Sequence, residues 1–444
     1  MRKITESEIF LSNKRFKKLQ NNFRKLRNKK DTKQRIKTRD RQKTANSYEK
    51  IFRLFNYEKK SKLGQYANKQ SAKIIKLPKI FSVIHAPEEF LKSIYQLDFS
   101  NLEKLQKITV NHFEVTQLDL AAESILDFLI MGLKKIKKDT LLLEGFLPKD
   151  LIAERYVRAT GIIKNLDIKD KLLDSEQEKL HRIFKMRSKG LASNDPLNLK
   201  GWKECAIESF VEHINLCLKD HDKRLTKTAQ GELVKYTGEI LNNAEDHSGY
   251  DEVVITGYLD NSNSTHCCEI AIFNFGKTIA ETFREMPETS YTHEEIDGYI
   301  KAHQKNSLFG QEWTKDNLLT VVALQGHISS KNLHKDQDRG QGTGDLIEFF
   351  QRMHKQCVKH NNSMAEMAIL SGSTHIYFDG TYSMQKDSNG RKVIAFNQDN
   401  NLREKPDSKY VKNLKTLSFP GTIISIRFPM KHENIELLKG GKNE

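Results

Sequence analysis

The sequence predicts an α+β protein, because helix-like and strand-like segments alternate without forming one regular repeat. Residues 203–220 and 225–247 have apolar positions at helical spacing, whereas residues 269–279 and 418–429 have the apolar alternation of strands. The chain has 444 residues with 23 Phe and 13 Tyr, which is enough for more than one core. This composition excludes a collagen, a wholly disordered chain and a disulfide-stapled mini-protein.

The first segment, residues 1–80, is predicted to be a basic arm. It holds 26 of the 74 basic residues and 6 of the 58 acidic ones, so the remainder of the chain is slightly acidic. Five apolar residues near its start share one helix face: Ile9, Phe16, Leu19, Phe23 and Leu26. Such an arm, helical or disordered, can neutralise nucleic-acid phosphates. Binding to an anionic membrane surface, or docking on a partner or on the chain's own body, remains open.

Residues 81–165 are predicted to form a small α/β domain. The segments KITVNHFEVTQL and DTLLLEGFLP have strand patterns, and LDLAAESILDFLIMGLKKI and KDLIAERYVRATGIIKNL have helix patterns. The order loosely resembles STAS-like domains, which pair with partner proteins, although an unrelated α/β packing domain is an equal alternative. Residues 166–200, which are charged and end in SNDP, are predicted to be a linker before a domain over 201–435 and a tail over 436–444.

The first chemical motif is a polar helix face in GEILNNAEDHSG. Glu239 and Asn243 are four residues apart and Asp246 follows three later, so all three share one face. A carboxylate can orient or deprotonate a water, and a carboxamide oxygen one turn away is a suitable magnesium ligand. The alternative is an ordinary solvated face.

The second motif is the strand end in EIAIFNFGKTI. Asn274 is followed by Phe275 and Gly276, so a short polar side chain stands where the backbone can bend. The following Lys and Thr imitate the end of a P-loop. That motif requires a glycine where Ala271 stands, and the intervening residues are strand-like.

The third motif is the glycine-rich segment DRGQGTGDLIEFF. Gly340, Gly342 and Gly344 alternate before a predicted helix, where backbone N–H groups can surround an anion. A polar run precedes the segment and the spacing is GxGxG, so a Rossmann site is not favoured. A flexible loop is the alternative to a lid over phosphates. A last, weaker motif is Thr422, at the start of the alternating strand SFPGTIISIRFP.

These four motifs in this order resemble the GHKL ATPases, a superfamily that includes gyrase, heat-shock chaperones, histidine kinases and MutL. The resemblance covers residues 200–430 and implies a Bergerat-type α/β sandwich, with a mixed sheet covered by helices. It implies ATP and Mg²⁺ as cofactors, Glu239 as catalytic base and Asn243 as magnesium ligand. The remaining nucleotide-binding positions that it implies are Asp246, His247, Asn274, Gly276, Gly340, Gly342, Thr343, Gly344 and Thr422. Residues 323–330 resemble the segment that leads into the lid.

Two positions depart from the family pattern. Asn274 stands where the family has the aspartate that reads adenine, and Thr278 stands at the second glycine of the DxGxG motif. An asparagine oxygen can still accept a hydrogen bond from the adenine amino group, but the side chain is neutral and its amide must face away. We therefore expect base affinity to change more than the fold.

Three uses of ATP are compatible with these residues. The first is a slow ATPase that acts as a conformational switch on a protein partner or in a homodimer. The second is a histidine- or serine-kinase-like phosphoryl transfer. His213 is the nearby helical candidate acceptor for this use, although Glu212 precedes it rather than follows it. The third is a scaffold that does not hydrolyse ATP.

The termini and cysteines predict a cytoplasmic protein. The five cysteines form no CxxC pair, and the first residues lack the long apolar core of a secretory signal. The most apolar stretch, LDLAAESILDFLIMGL, contains three acidic residues, so no transmembrane segment is expected.

Overall fold

The computed structural model describes thirteen parts of the chain: 47–58, 71–97, 99, 102–137, 140–161, 183–188, 196–248, 252–260, 267–287, 290–328, 341–358, 365–430 and 434–438. Contacts divide the chain into Met1–Ser47 and Tyr48–Glu444. The stripe from Ile9 to Leu26 and most of the proposed arm lie outside the described residues, as do Gly340 and residues 329–339.

Helix α1 (47–58) lies within the segment that we expected to be a basic arm. Four of its apolar residues lie at the spacing of one helix face and are at most 3% exposed: Tyr48, Ile51, Phe52 and Phe55. Burial of this aromatic face attaches residues 47–58 to the body of the protein.

The next part of the chain combines parallel strands with helices. Strands β1, β3 and β5 pair in parallel in the order β1-β3-β5, and β2 pairs in parallel with β4. Asp119 begins the long helix α3 by accepting a hydrogen bond from the Ala122 N–H at 2.8 Å. In chain order the elements are β1 (Ala72–Lys76), β2 (Ile80–Phe81), α2 (Pro87–Tyr95), β3 (Lys107–Asn111), β4 (Gln117–Leu118), α3 (Leu120–Ile136), β5 (Leu142–Phe146) and α4 (Leu151–Thr160).

Residues 166–200, which we expected to be a linker, contain a strand of the main sheet. This strand, β6, pairs antiparallel with β8. Residues 436–438, expected in the tail, partly belong to a last strand, β16 (Ile435–Leu437), which pairs with β7 (Lys223–Leu225). The elements up to the middle of the chain are β6 (Ile183–Arg187), α5 (Pro196–Lys219), β7 (Lys223–Leu225), α6 (Lys227–Ser248), β8 (Val253–Asp260), β9 (Cys267–Phe275), α7 (Ile279–Arg284), α8 (Tyr291–Lys305) and α9 (Lys315–Val322).

A long helix and further strands complete the described residues. The helix, α10, begins earlier than the glycine motif suggested. Gly342 and Gly344 therefore lie in its first turn rather than in a preceding loop. The elements are α10 (Gln341–Val358), β10 (Glu366–Gly372), β11 (Thr374–Phe378), β12 (Gln385–Lys386), β13 (Lys392–Val393), β14 (Val411–Asn413), β15 (Phe419–Pro429) and β16 (Ile435–Leu437).

The main sheet has seven strands in the order β14-β11-β10-β15-β9-β8-β6. Each neighbouring pair is antiparallel, so our expectation of a mixed sheet was wrong for this part of the chain. The reason is the position of β15, which inserts between β9 and β10 and runs opposite to both. The expectation of an α+β protein is confirmed, with parallel pairing confined to the smaller sheets.

The main sheet is covered on both faces. One face packs with α5, α6 and α10 through residues such as Ile270, Ile272 and Ile369. The other face packs with α1 and the helices of the parallel part, through Phe273, Phe275 and other residues that alternate with the first set. Within the described parts of the chain, no helix is long and apolar enough to cross a membrane.

Candidate functional site

Three neighbouring strands bring three polar side chains into one row. Asn274 on β9 is the cross-strand partner of Thr422 on β15, and Thr422 is the partner of Ser371 on β10. Their neighbours Phe273, Ile423 and Leu370 belong to the opposite face of the sheet. The polar row therefore lies on the face that α5, α6 and α10 cover.

Hydrogen bonds hold the central part of this row. The Oγ of Ser371 lies 2.8 Å from the Oγ1 of Thr422 and accepts a hydrogen bond from the Ile279 N–H at 2.9 Å. Ser371 and Asn274 are 2% and 3% exposed, whereas Thr422 is partly exposed. Among the described residues, none forms a side-chain hydrogen bond with the Asn274 carboxamide.

The backbone beside Asn274 has room only for glycine. Gly421 has φ of +144°, and a Cβ there would lie 2.1 Å from the Asn274 carbonyl oxygen. Gly276, directly after β9, has φ of +118°. Both glycines are therefore required by the close approach and the bend at this end of the sheet.

Thr278, which stands where the family that the sequence resembles has a glycine, has a clear local role. Its hydroxyl accepts from the Glu281 N–H at 3.2 Å, and the Glu281 carboxylate accepts from the Thr278 N–H at 2.8 Å. This capping box begins α7 directly after the strand end. A threonine at this position therefore stabilises the start of the helix.

Helices α6 and α10 pack side by side in opposite directions. Early in α6, Glu232 Oε1 lies 3.9 Å from Arg352 Nη1, whereas later in α6 Lys235 Nζ lies 3.2 Å from Asp345 Oδ2, nearer the start of α10. Between them Tyr236 stacks on Phe349 with ring centroids 4.1 Å apart. The second half of α6, which carries the polar motif, therefore runs towards the first turn of α10. The two predicted segments meet although about 100 residues separate them in the sequence.

Glu239 lies half-buried on α6, and its surroundings raise its pKa. Burial is the main cause, and the charge of Asp345 on α10 adds to it, whereas Lys235 lowers the pKa. A carboxylate with a raised pKa is a stronger base, which suits proton abstraction near neutral pH.

Asn243 lies on α6 one turn beyond Glu239, followed by Asp246 and His247 on the same helix. The side chains of these three residues, and that of Thr343 in the first turn of α10, lie outside what the structure describes. In the described parts, no group of three or more His, Cys, Asp or Glu is arranged to hold a metal ion.

Gly344, in the first turn of α10, touches the turn after α9. A Cβ on Gly344 would lie 3.2 Å from the Cα of Gly326. The two backbones therefore approach closely at the point where the predicted lid segment leaves and rejoins the described structure.

His213, the candidate phosphate acceptor, lies on α5. Its Nε2 is 3.7 Å from Cys217 Sγ, and its ring lies against Phe184. These are the contacts of a side chain packed against its neighbours.

The opposite face of the sheet carries buried polar contacts that the sequence analysis did not identify. Glu269 on β9 accepts hydrogen bonds from the Leu120 N–H at 2.9 Å and from the Tyr156 hydroxyl at 2.8 Å, and Arg427 lies at 3.7 Å. Burial raises the pKa of Glu269, and the charge of Arg427 opposes this. A lone acidic residue in the apolar run CCEIAIF was the available signal.

Comparison of the chain with protein-family models, with curated proteins and with solved structures finds no match. Assignment of a function therefore rests on the residues and their geometry.

Proposed function

We propose that this chain is a magnesium-dependent ATP-binding protein of the GHKL type, which hydrolyses ATP slowly and acts as a conformational switch. The observation that carries the proposal is the side-by-side position of Asn274 and Thr422 on the sheet face against which α6, the helix that contains Glu239, packs. These positions come from separate sequence motifs, and their proximity is what a common ligand site requires.

The base would bind at the polar row. Asn274 offers an oxygen to the adenine amino group, and Thr422 offers a hydroxyl beside it. Gly421 and Gly276 keep the backbone free of side chains at this end of the sheet. This arrangement supports a Bergerat-type site despite the antiparallel sheet.

The phosphates would lie between α6 and the start of α10. The N-terminus of an 18-residue helix carries unpaired N–H groups and positive potential, and Gly342 and Gly344 let an anion approach its backbone. Magnesium, held through Asn243 and the phosphate oxygens, would neutralise charge on the phosphates. Glu239 would take a proton from the water that attacks the terminal phosphate.

Radiolabelled ATP tests the proposal and separates the three uses of ATP. Full-length protein with magnesium and γ-labelled ATP should release free phosphate. Label retained on the protein would indicate a kinase, and bound but unchanged ATP would indicate a scaffold. Glu239→Gln should lower phosphate release about 100-fold or more while ATP still binds. Glu232→Gln on the same helix is the control. Glu232 Oε1 lies 3.9 Å from Arg352 Nη1, and this ion pair is not part of the proposed catalytic site.

The magnesium position has its own test. ATP should raise the unfolding temperature of the wild-type chain more with magnesium than without it. Asn243→Ala should remove this magnesium dependence. An undiminished magnesium effect in the variant would contradict the assignment of Asn243.

We further propose that the basic N-terminal residues contact nucleic acid. The support is their concentration of charge, 26 basic against 6 acidic residues over 1–80. Deletion of residues 1–45 should abolish DNA or RNA binding that weakens steeply with salt, whereas binding that survives the deletion would assign it to the remaining chain.

A further inference from the structure

Ser371 stands at an irregular point of β10. The pairing with β15 shifts register between Ser371 and Gly372, and Gly372 has φ of +59°. This bulge leaves the Ser371 hydroxyl between the start of α7 and Thr422. Ser371 belongs to none of the sequence motifs.

The hydrogen-bond partners of Ser371 favour one direction for its proton. Its oxygen already accepts from the Ile279 N–H, the first residue of α7, which would otherwise be an unpaired helix donor. The proton has two acceptors within reach: the Thr422 Oγ1 at 2.8 Å and the Gly421 carbonyl at 3.5 Å. Only the first distance is that of a good hydroxyl hydrogen bond.

These two distances favour Thr422 as the acceptor of the pair. If the direction were reversed, the Ser371 proton would be left with the long contact to Gly421. With Ser371 as donor, the Thr422 proton cannot point at Ser371 and is free to point away from it. Thr422 is the partly exposed member of the pair, so its hydroxyl meets a ligand as a donor.

We propose that Ser371 is a positioning residue that selects adenine by presenting the Thr422 hydroxyl as a hydrogen-bond donor to the purine N1. This inference rests on the proposed function. Adenine N1 is an acceptor, whereas guanine N1 carries a hydrogen and meets the same hydroxyl as a second donor.

Asn274 cannot make this distinction by itself. Its carboxamide can accept from the adenine amino group through oxygen or donate to the guanine oxygen through nitrogen, depending on its orientation. An aspartate would exclude the second arrangement because an ionised carboxylate only accepts. Because Asn274 can bind either purine, the Ser371–Thr422 pair must distinguish adenine from guanine.

The test is binding of ATP, GTP and 1-deaza-ATP to the full-length chain with magnesium, measured by calorimetric titration. In 1-deaza-ATP a C–H group replaces N1. Wild-type protein should bind ATP about five- to tenfold more tightly than 1-deaza-ATP, the effect of one hydrogen bond. It should prefer ATP over GTP by at least as much. 7-Deaza-ATP, which keeps N1, should show the same N1-dependent preference over 1-deaza-ATP.

Two variants should lose all or part of the discrimination. Thr422→Val removes the donor and should bring the affinities for ATP and 1-deaza-ATP to within about twofold of each other. Ser371→Ala keeps the donor but removes the group that directs its proton, and should at least halve the preference for ATP over 1-deaza-ATP. Ser371→Thr keeps the hydroxyl and should restore the preference. Ser425→Ala is the matched control, a buried serine on β15 that pairs with Ala271 on the opposite face.

The outcomes separate the inference from the proposed function. If wild-type protein binds none of the nucleotides, the proposed function fails and the inference fails with it. If ATP binds but wild-type protein shows no preference over 1-deaza-ATP, the inference alone is overturned. The same holds if Ser371→Ala keeps the full preference. The wild-type comparison decides even if a variant does not fold.

Discussion

Asp345 on α10 acts on Glu239 on α6 across the interface of the two helices, and its negative charge raises the pKa of Glu239. Lys235, whose Nζ lies 3.2 Å from the same aspartate, has the opposite effect on this pKa. Asp345 and Lys235 therefore shift the pKa of Glu239, the proposed base, in opposite directions.

The pH dependence of phosphate release should show this opposition. A general base works when deprotonated, so release should rise with pH through the pKa of Glu239. Asp345→Asn removes a negative charge and should move this rise to lower pH. Lys235→Met removes a positive charge and should move it to higher pH. The measurement is kcat between pH 4 and 9, and shifts of the same sign in both variants would contradict the assignment of Glu239.

Gly421 should tolerate alanine much less well than another glycine with positive φ whose surroundings are open. A Cβ at Gly421 would meet the Asn274 carbonyl, whereas Gly390, with φ of +76°, has no neighbouring atom within 4 Å. We expect Gly421→Ala to lower the free energy of unfolding by roughly 3 kcal/mol or more, and Gly390→Ala by about 1 kcal/mol. Denaturant unfolding of both variants tests this, and equal losses would argue against the close approach.

His375 should make the fold sensitive to mild acid. Burial lowers its pKa to about 3, Lys412 adds to this, and the hydrogen bond from its Nε2 to the Val83 carbonyl at 2.9 Å opposes it. Between pH 6.5 and 3 the unfolded chain therefore binds more protons here than the folded chain. Stability should fall as pH falls below 6.5, by about 2 kcal/mol at pH 5 from this residue alone.

The contribution of His375 can be isolated by substitution. His375→Gln does not titrate, so its unfolding free energy should fall less steeply between pH 6.5 and 5 than that of wild-type protein. Denaturant unfolding across this range is the measurement. Parallel pH curves for the two proteins would show that His375 is not the group responsible.

Removal of the Glu269 side chain should strongly lower the free energy of unfolding. Glu269→Ala leaves the Leu120 N–H, the Tyr156 hydroxyl and Arg427 without their buried acceptor, and we expect a loss of about 3–5 kcal/mol. Glu144→Ala is the control, because its ion pair with Lys107 is exposed and worth about 1 kcal/mol or less. Similar losses in the two variants would contradict a buried role for Glu269.

The helices and strands with clear periodicity could be predicted from the sequence. The segments expected to form α3, α6, β9 and β15 have those structures. Helix α1 was not predicted, because residues 1–80 are so rich in charge that the apolar positions from Tyr48 to Phe55 do not stand out. Strand β6 was not predicted, because its sequence IFKMR is short and lies in a charged segment.

Strand order and register could not be predicted in the same way. Strand β15 pairs with residues about 150 positions away in β9 and about 50 positions away in β10, and local sequence patterns do not indicate such long-range pairing. The motifs supplied Asn274 and Thr422 separately. Only the pairing of Ser371 with Thr422 in the structure indicates that Ser371 belongs to the candidate site.

The two-sided burial of the main sheet also limits how the chain can be divided for expression. A fragment that starts at residue 201 would lose α1 to α4 and the edge strand β6. It would expose to water a continuous aromatic surface that includes Phe273, Phe275 and Phe419. Such a fragment should aggregate, and an inactive aggregate would be mistaken for evidence against nucleotide binding. Nucleotide-binding measurements on this protein should therefore use chains that contain residues 47–444.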